Sequence, residues 1–135
     1  MKLLRNVNLL LILLFSLSCV RPDQQQITIE RVNADTFETN LNTLDNAFLI
    51  DVRTPGEYRS GHIDGATNID FNQVDNMKIA FEKLDHNQPM LIYCAAGGRS
   101  NKTRVLMAEM GFKKVYELSS GIKGWEAAGK PISFK

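Results

Sequence analysis

Short runs of apolar or alternating residues recur along the chain from residue 27 onward. They have the length of β-strands and are rich in Ile, Val, Leu and Phe. The five runs that we predict as strands span residues 27–29, 48–50, 66–69, 91–93 and 115–118. Runs 48–50 and 91–93 contain only aliphatic and aromatic residues, a pattern typical of strands buried on both faces.

Between these runs, apolar side chains recur every three or four residues, as on one face of an amphipathic helix. Asn33 is a favourable N-cap before the first helical segment, and residues 54–57 (Thr-Pro-Gly-Glu) form a capping box with proline at the first helical position. The helical faces carry Phe37, Leu41 and Leu44; Val74, Met77, Phe81 and Leu84; Thr103, Leu106, Met107 and Met110; and Ile122 and Trp125. This alternation predicts an α/β fold, a five-stranded parallel sheet flanked by helices on both faces.

The first 18 residues have the layout of a signal peptide. Lys2 and Arg5 give a basic start, residues 9–15 are all apolar, and small residues follow at Ser16 and Ser18. The apolar core is too short for a membrane-spanning helix, which needs about 20 residues. We therefore predict a signal peptide at 1–18 and a domain that leaves the cytosol.

Cys19 follows this segment directly. The arrangement resembles a bacterial lipoprotein signal, which implies a lipidated Cys19 at the mature N-terminus, although Ser16 stands where leucine is usual. An ordinary secretory cleavage before Cys19 fits the same residues. In either case residues 19–26 are interpreted as a polar tether and residues 27–135 as the folded domain.

Composition narrows the possible functions. The chain has 135 residues and a net charge of +1, enough for one domain without a basic surface for nucleic acid. His62 and His86 stand alone, and the only cysteines, Cys19 and Cys94, form no metal-ligand pattern. We expect no metal, no cofactor and no nucleic-acid partner.

Candidate chemistry lies where the fourth predicted strand gives way to a helical pattern. The residues at this junction are Cys94, Ala95, Ala96, Gly97, Gly98, Arg99 and Ser100. We interpret Ser100 as the N-cap of the next helix. Backbone N–H groups in a glycine-rich turn before a helix can bind an anion, so a cysteine there is expected to have a lowered pKa. Asp51 also follows a predicted strand, so it and Cys94 should lie at the same edge of the sheet.

Three segments together resemble the rhodanese-like sulfurtransferases. They are residues 51–69 (beginning Asp-Val-Arg-Thr-Pro-Gly-Glu-Tyr), the loop at 94–100, and the C-terminal set Gly121, Gly124, Trp125, Gly129 and Pro131. In this family a cysteine carries a sulfane sulfur as a persulfide. The resemblance, which spans residues 28–133, implies that Cys94 is the nucleophile and that residues 95–99 surround the terminal sulfur. Asp64 departs from the pattern, since proline is common there.

Other polar residues of these segments are predicted to support the site. Glu57 occupies the third helical position of the capping box, which gives it a structural role. Arg53 is expected to pair with a carboxylate such as Glu57, and Asp51 to make structural hydrogen bonds. Arg99 is the polar residue that we predict to bind the substrate anion.

The resulting prediction is an extracytoplasmic sulfurtransferase. Through Cys94 it would move a sulfane sulfur from thiosulfate or another persulfide donor to cyanide or a thiol, which can be a protein thiol. A monomer is expected, in contact with a membrane only through a lipid anchor. One alternative is a non-catalytic sulfur-relay or interaction module. A cysteine phosphatase or arsenate reductase is a second, although phosphatase loops place five residues between cysteine and arginine and this chain has four.

Overall fold

The structure, a computed structural model, describes residues 26–135. The predicted signal peptide at 1–18, Cys19 and the rest of the predicted tether up to residue 25 lie outside the described residues. The elements in chain order are β1 (Thr28–Val32), α1 (Ala34–Thr43), β2 (Phe48–Asp51), α2 (Pro55–Arg59), β3 (Thr67–Asn68), α3 (Val74–Glu82), β4 (Met90–Tyr93), α4 (Gly98–Glu109), β5 (Lys114–Leu118) and α5 (Gly121–Ala127).

All five strands form one parallel sheet in the order β1-β5-β4-β2-β3. This confirms the predicted α/β class. Strand β4 lies at the centre, and all four of its residues are buried. Asp51 of β2 pairs with Tyr93 of β4, so the ends of β2 and β4 lie side by side. Asp51 and Cys94 therefore share one edge of the sheet, as predicted.

Alternate residues of the central strand point into two hydrophobic cores. On one face, Leu91 and Tyr93 pack in a cluster with Phe37 of α1 and Trp125 of α5. On the other face, Ile92 and Cys94 pack in a second cluster. Its helical members are Met77 and Phe81 from α3 and Met107 from α4. The cysteine thus lies on the face that α3 and α4 cover.

Helices α1 and α2 begin at the capping residues that the sequence predicts. The Asn33 side chain accepts the backbone N–H of Thr36 at 2.9 Å, which caps α1. At α2, the Thr54 side chain accepts the Glu57 N–H, and the Glu57 carboxylate accepts the Thr54 N–H. Both predicted caps are confirmed.

The start of α4 corrects a prediction. Ser100 is not the N-cap: the helix begins at Gly98, and Gly97 occupies the cap position with φ of 89°. The left-handed conformation of Gly97 turns the chain into the helix earlier than expected. Ser100 therefore lies inside the first turn, and its hydroxyl is free to bond elsewhere.

Candidate active site

Cys94 is placed directly after β4, at the carboxyl edge of the sheet. It is 1% exposed, so its sulfur is surrounded by protein. The backbone N–H of Gly97 donates to Sγ at 3.2 Å, and Ser100 Oγ lies 3.3 Å from Sγ. The loop at 94–100 therefore wraps around the sulfur atom, and the first turn of α4 closes it.

Two glycines allow the loop to take this shape. Gly97 needs a positive φ, and a Cβ there would collide with the carbonyl oxygen of Ser119. Gly121, with φ of 62°, packs so closely on the backbone of Ala95 that a Cβ would overlap it. Residues 95 and 121 can therefore approach only because position 121 has no side chain.

The first turn of α5 fixes the direction of the loop peptides. The N–H of Ile122 donates to the carbonyl of Cys94 at 2.9 Å, and the N–H of Lys123 donates to that of Ala95 at 3.1 Å. The C=O and N–H of one peptide point in opposite directions, so a bond that turns the Ala95 carbonyl toward α5 turns the Ala96 N–H toward the sulfur. The predicted cradle thus has a structural basis in α5 as well as in the loop.

Opposing influences act on the Cys94 thiol. Burial raises its pKa, because a thiolate is poorly solvated there, whereas hydrogen bonds from the Ser100 side chain and from the backbone of Ser100, Ala96 and Gly97 lower the pKa. The net result is a lowered pKa. The positive end of the α4 dipole acts in the same direction.

Arg99 forms an ion pair with Glu57. From the sequence we had expected Arg99 to bind the substrate anion and had named Glu57 as a partner for Arg53. Arg99 Nη1 and Nη2 donate to the two Glu57 carboxylate oxygens at 2.8 and 2.7 Å. Arg53 does pair with a carboxylate, as expected, but its partner is Asp51 and not Glu57, which we had named as an example. Position explains the correction: Arg99, in the first turn of α4, reaches Glu57 at the start of α2.

The Asp51–Arg53 pair is buried and local. Arg53 Nη2 donates to Asp51 Oδ2 at 2.6 Å and to the Gly61 carbonyl at 2.7 Å. The backbone N–H of Arg53 also donates to Asp51 Oδ1 at 2.9 Å. These bonds fix the turn between β2 and α2, which agrees with the structural hydrogen bonding expected of Asp51.

Glu117 and Arg31 adjoin the site, and neither was singled out from the sequence. Glu117 is fully buried, and its Oε1 accepts the Ser100 hydroxyl at 2.6 Å. Arg31 Nε donates to Glu117 Oε2 at 2.6 Å. The available signal was a carboxylate inside the otherwise apolar and aromatic strand 115–118. No comparable signal marks Arg31, which projects from an edge strand.

Within residues 26–135, no group of three or more His, Cys, Asp or Glu side chains is placed to hold a metal ion. No helix in the same range is long and apolar enough to cross a bilayer. Both statements concern the described domain alone.

The geometry defines a class of α/β protein in which a buried cysteine is held by N–H donors at the carboxyl edge of a parallel sheet. The model of the rhodanese-like domain matches residues 33–128, and the chain belongs to that family. This confirms the family resemblance.

Individual relatives are moderately similar. Sulfurtransferase from Allochromatium vinosum is 25% identical over 104 residues, covering 77% of this chain and 94% of that protein. Thiosulfate sulfurtransferase PspE from Escherichia coli is 38% identical over 74 residues, covering 55% of this chain and 69% of that protein. A crystal structure of a rhodanese-related protein from Thermoplasma volcanium has a TM-score of 0.68 at 23% identity, covering 78% of this chain and 99% of that chain. This last likeness concerns the fold.

Proposed function

We propose that this protein transfers sulfane sulfur through a persulfide on Cys94. The observation that carries the proposal is the Cys94 sulfur itself, buried at the N-terminus of α4 and bound by the Gly97 N–H. A site that places N–H donors on a sulfur atom stabilises that sulfur as an anion. Both the thiolate and the persulfide of Cys94 are anions of this kind.

The proposed reaction has two steps. The Cys94 thiolate attacks the outer sulfur of thiosulfate, a new S–S bond forms, and the old S–S bond breaks as sulfite leaves with its electron pair. A thiolate or cyanide acceptor then attacks the outer sulfur of the persulfide, and the Cys94 thiolate is regenerated. Charge balances in each step, and the acceptor must come from outside because Cys94 is the only cysteine in the described domain.

Thiosulfate and organic persulfides are the proposed donors. The name of the Escherichia coli relative, a thiosulfate sulfurtransferase, supports the first. Ala95 and Ala96, directly after the cysteine, bring no charge to the loop, so Arg99 is the proposed partner of an anionic donor. A small uncharged loop also accommodates persulfides, including those of protein thiols.

A sulfur-transfer assay tests this proposal. Purified protein is mixed with thiosulfate or an organic persulfide and with cyanide or a thiol acceptor, and Cys94→Ser is measured in parallel. We expect turnover that depends on Cys94, with ping-pong kinetics. Absence of transfer from every donor, or equal transfer by Cys94→Ser, would overturn the proposal.

A sulfur relay is the second candidate function. The uncharged residues Ala95 and Ala96 directly after Cys94 favour it, since a loop without further cations is not specialised for small anionic donors and suits persulfides of protein thiols. The two functions share the same persulfide. Many turnovers per molecule indicate an enzyme, whereas a single stoichiometric transfer indicates a relay.

We also propose that the domain acts outside the cytosol. The basic start, the apolar core at 9–15 and the small residues before Cys19 support this location. A lipid on Cys19 would keep the domain at a membrane surface, with residues 20–26 as the tether.

A further inference from the structure

The buried carboxylate of Glu117 lies under the active-site loop with both of its oxygens engaged. In the sheet, Glu117 pairs with Ile92 on one side and with Arg31 on the other. Its Oε1 lies 2.6 Å from Ser100 Oγ, and Arg31 Nε donates to Oε2 at 2.6 Å. Burying a carboxylate costs free energy that burying an apolar residue would not. Because Glu117 is linked to the Cys94 sulfur through the Ser100 hydroxyl, this costly residue points to a role in the site.

Ser100 connects this carboxylate to the sulfur, yet its hydroxyl has a single proton. When Glu117 is ionised, the short bond to Oε1 holds that proton, because a charge-assisted bond is stronger than one to a neutral thiol. Ser100 Oγ can then only accept a hydrogen bond from the Cys94 S–H. This arrangement, a thiol beside a carboxylate, satisfies every group in the chain of three residues.

An anionic Cys94 reverses the requirement. The sulfur then needs the Ser100 proton, and the hydroxyl must turn toward Sγ. The lone pairs of Ser100 Oγ and Glu117 Oε1 would then face each other at 2.6 Å. The carboxylate therefore opposes the turn of the hydroxyl that the sulfur anion requires.

We propose that the Glu117 carboxylate and the Cys94 sulfur compete for the single hydroxyl proton of Ser100, and that Glu117 is a positioning residue that sets how readily Cys94 becomes an anion. When the thiolate forms, the S–H proton leaves to solvent, and Sγ must then draw the Ser100 proton away from Glu117 Oε1. This inference deepens the proposed function, since it rests on Cys94 as the nucleophile.

Other charges around the sulfur are fixed by partners or lie at the surface. They are Arg31 from β1, Asp51 from β2, Arg53 from the turn after β2, Glu57 from α2, Arg99 from α4 and the exposed Lys123 from α5. Asp51 with Arg53, and Glu57 with Arg99, form closed ion pairs. Of these charges, only Arg31 contacts Glu117, and it stabilises the carboxylate. Arg31 and Arg99 are also attracted to an anionic Cys94 sulfur, so both cations favour the anion while Glu117 opposes it.

The variant Glu117→Gln separates these arrangements with almost no change in shape. Arg31 requires an acceptor, so the glutamine oxygen faces Arg31 and its NH₂ group faces Ser100 Oγ. Ser100 is then free to donate to Sγ at all times. We expect the pKa of Cys94 to fall by about one unit or more, because a neighbouring negative charge is also removed.

The experiment measures the rate of Cys94 alkylation by iodoacetamide against pH. The full chain is used, and peptide mapping follows Cys94 separately from Cys19. Thermal unfolding confirms that each variant is folded. Glu109→Gln, the same change at an exposed position of α4, is the matched control and should leave the midpoint unchanged.

The same measurement in a Ser100→Ala background distinguishes competition for the Ser100 proton from simple charge repulsion. Without the hydroxyl, Glu117→Gln should shift the Cys94 midpoint by less than half as much. An unchanged or raised midpoint in Glu117→Gln, or equal shifts in both backgrounds, would overturn the proposal. Alkylation requires no sulfur donor, so failure of the sulfur-transfer assay and failure of this inference are separate results.

Discussion

Arg99 interacts with both an acid of α2 and the sulfur of Cys94. Its pKa is raised mainly by the hydrogen bonds to Glu57 and, more weakly, by the nearby sulfur of Cys94, against the opposing effect of burial. The ion pair is partly exposed, so we expect it to contribute no more than about 1 kcal/mol to stability. An anionic donor that enters the loop would meet the same guanidinium.

Substitution of Arg99 should therefore affect binding more than folding. For Arg99→Ala we expect the KM for thiosulfate to rise about tenfold, the loss of roughly one charge-assisted hydrogen bond, and stability to fall by about 1 kcal/mol or less. Steady-state kinetics and denaturant unfolding measure the two effects. Arg104→Ala, on the same helix, is the control that should leave KM unchanged. An unaltered KM in Arg99→Ala, or loss of the fold, would show that Arg99 only braces the structure.

Glu57 gives this ion pair a characteristic pH dependence. Arg99 donates to the carboxylate and, against burial, lowers its pKa from 4.5 to about 2. Because the folded pKa lies below the unfolded one, the stabilisation is complete above about pH 4.5 and is lost as the pH falls toward 2. The Tm of the parent should exceed that of Glu57→Gln at pH 6, and the difference should shrink below pH 4.5. A difference that stays constant down to pH 2 would contradict the assignment.

At the scale of elements, the starts of α1, α2 and α4 show what local sequence can and cannot predict. The caps at Asn33 and Thr54 were predictable because each bond joins residues three positions apart. The start of α4 was not, because Gly97 is held left-handed by its approach to Ser119, a contact with a distant segment. The hydroxyl of Ser100 likewise bonds across the sheet edge to Glu117, which no local pattern indicates.

The conformation of Gly97 can be tested against a matched glycine. Gly65 has φ of 81°, close to the 89° of Gly97, but a Cβ on Gly65 would meet no atom within 4 Å. We expect Gly65→Ala to cost about 1–2 kcal/mol for the left-handed backbone alone. Gly97→Ala should cost a further 1–3 kcal/mol or so, since its Cβ collides with the Ser119 carbonyl.

Gly97→Ala should also change the chemistry of the loop. Moving the Gly97 N–H away from the sulfur should raise the Cys94 pKa toward the free-cysteine value near 8.5. Chemical denaturation and the alkylation pH profile report both consequences. Equal costs for the two alanine variants, with no change in the profile, would mean that the loop tolerates a side chain at position 97.

For the whole molecule, the order of apolar runs was sufficient to predict the fold but not the contacts within the site. The predicted strands and helices match the observed elements because each buried face repeats with its own period. The ion pairs Glu57–Arg99 and Arg31–Glu117 join residues 42 and 86 positions apart. Such partners depend on strand order and register, which spacing along one sequence does not determine.

Membrane attachment is a property of the whole molecule that the proposed lipid on Cys19 would provide. We expect Cys19→Ala to leave the membrane fraction or to remain unprocessed, because the lipid acceptor is gone. Fractionation and the electrophoretic mobility of parent and variant measure this. If the two behave alike, the lipoprotein interpretation is wrong and simple secretion remains.

The central claim is that Cys94 carries the sulfur, and the mass of its peptide tests this most directly. The full protein is exposed to thiosulfate or an organic persulfide, digested, and analysed by mass spectrometry next to Cys94→Ser. We predict a gain of one sulfur atom on the peptide that contains Cys94, removed when a thiol acceptor or cyanide is added. A Cys94 peptide of unchanged mass after every donor, while the protein still transfers sulfur, would contradict the account.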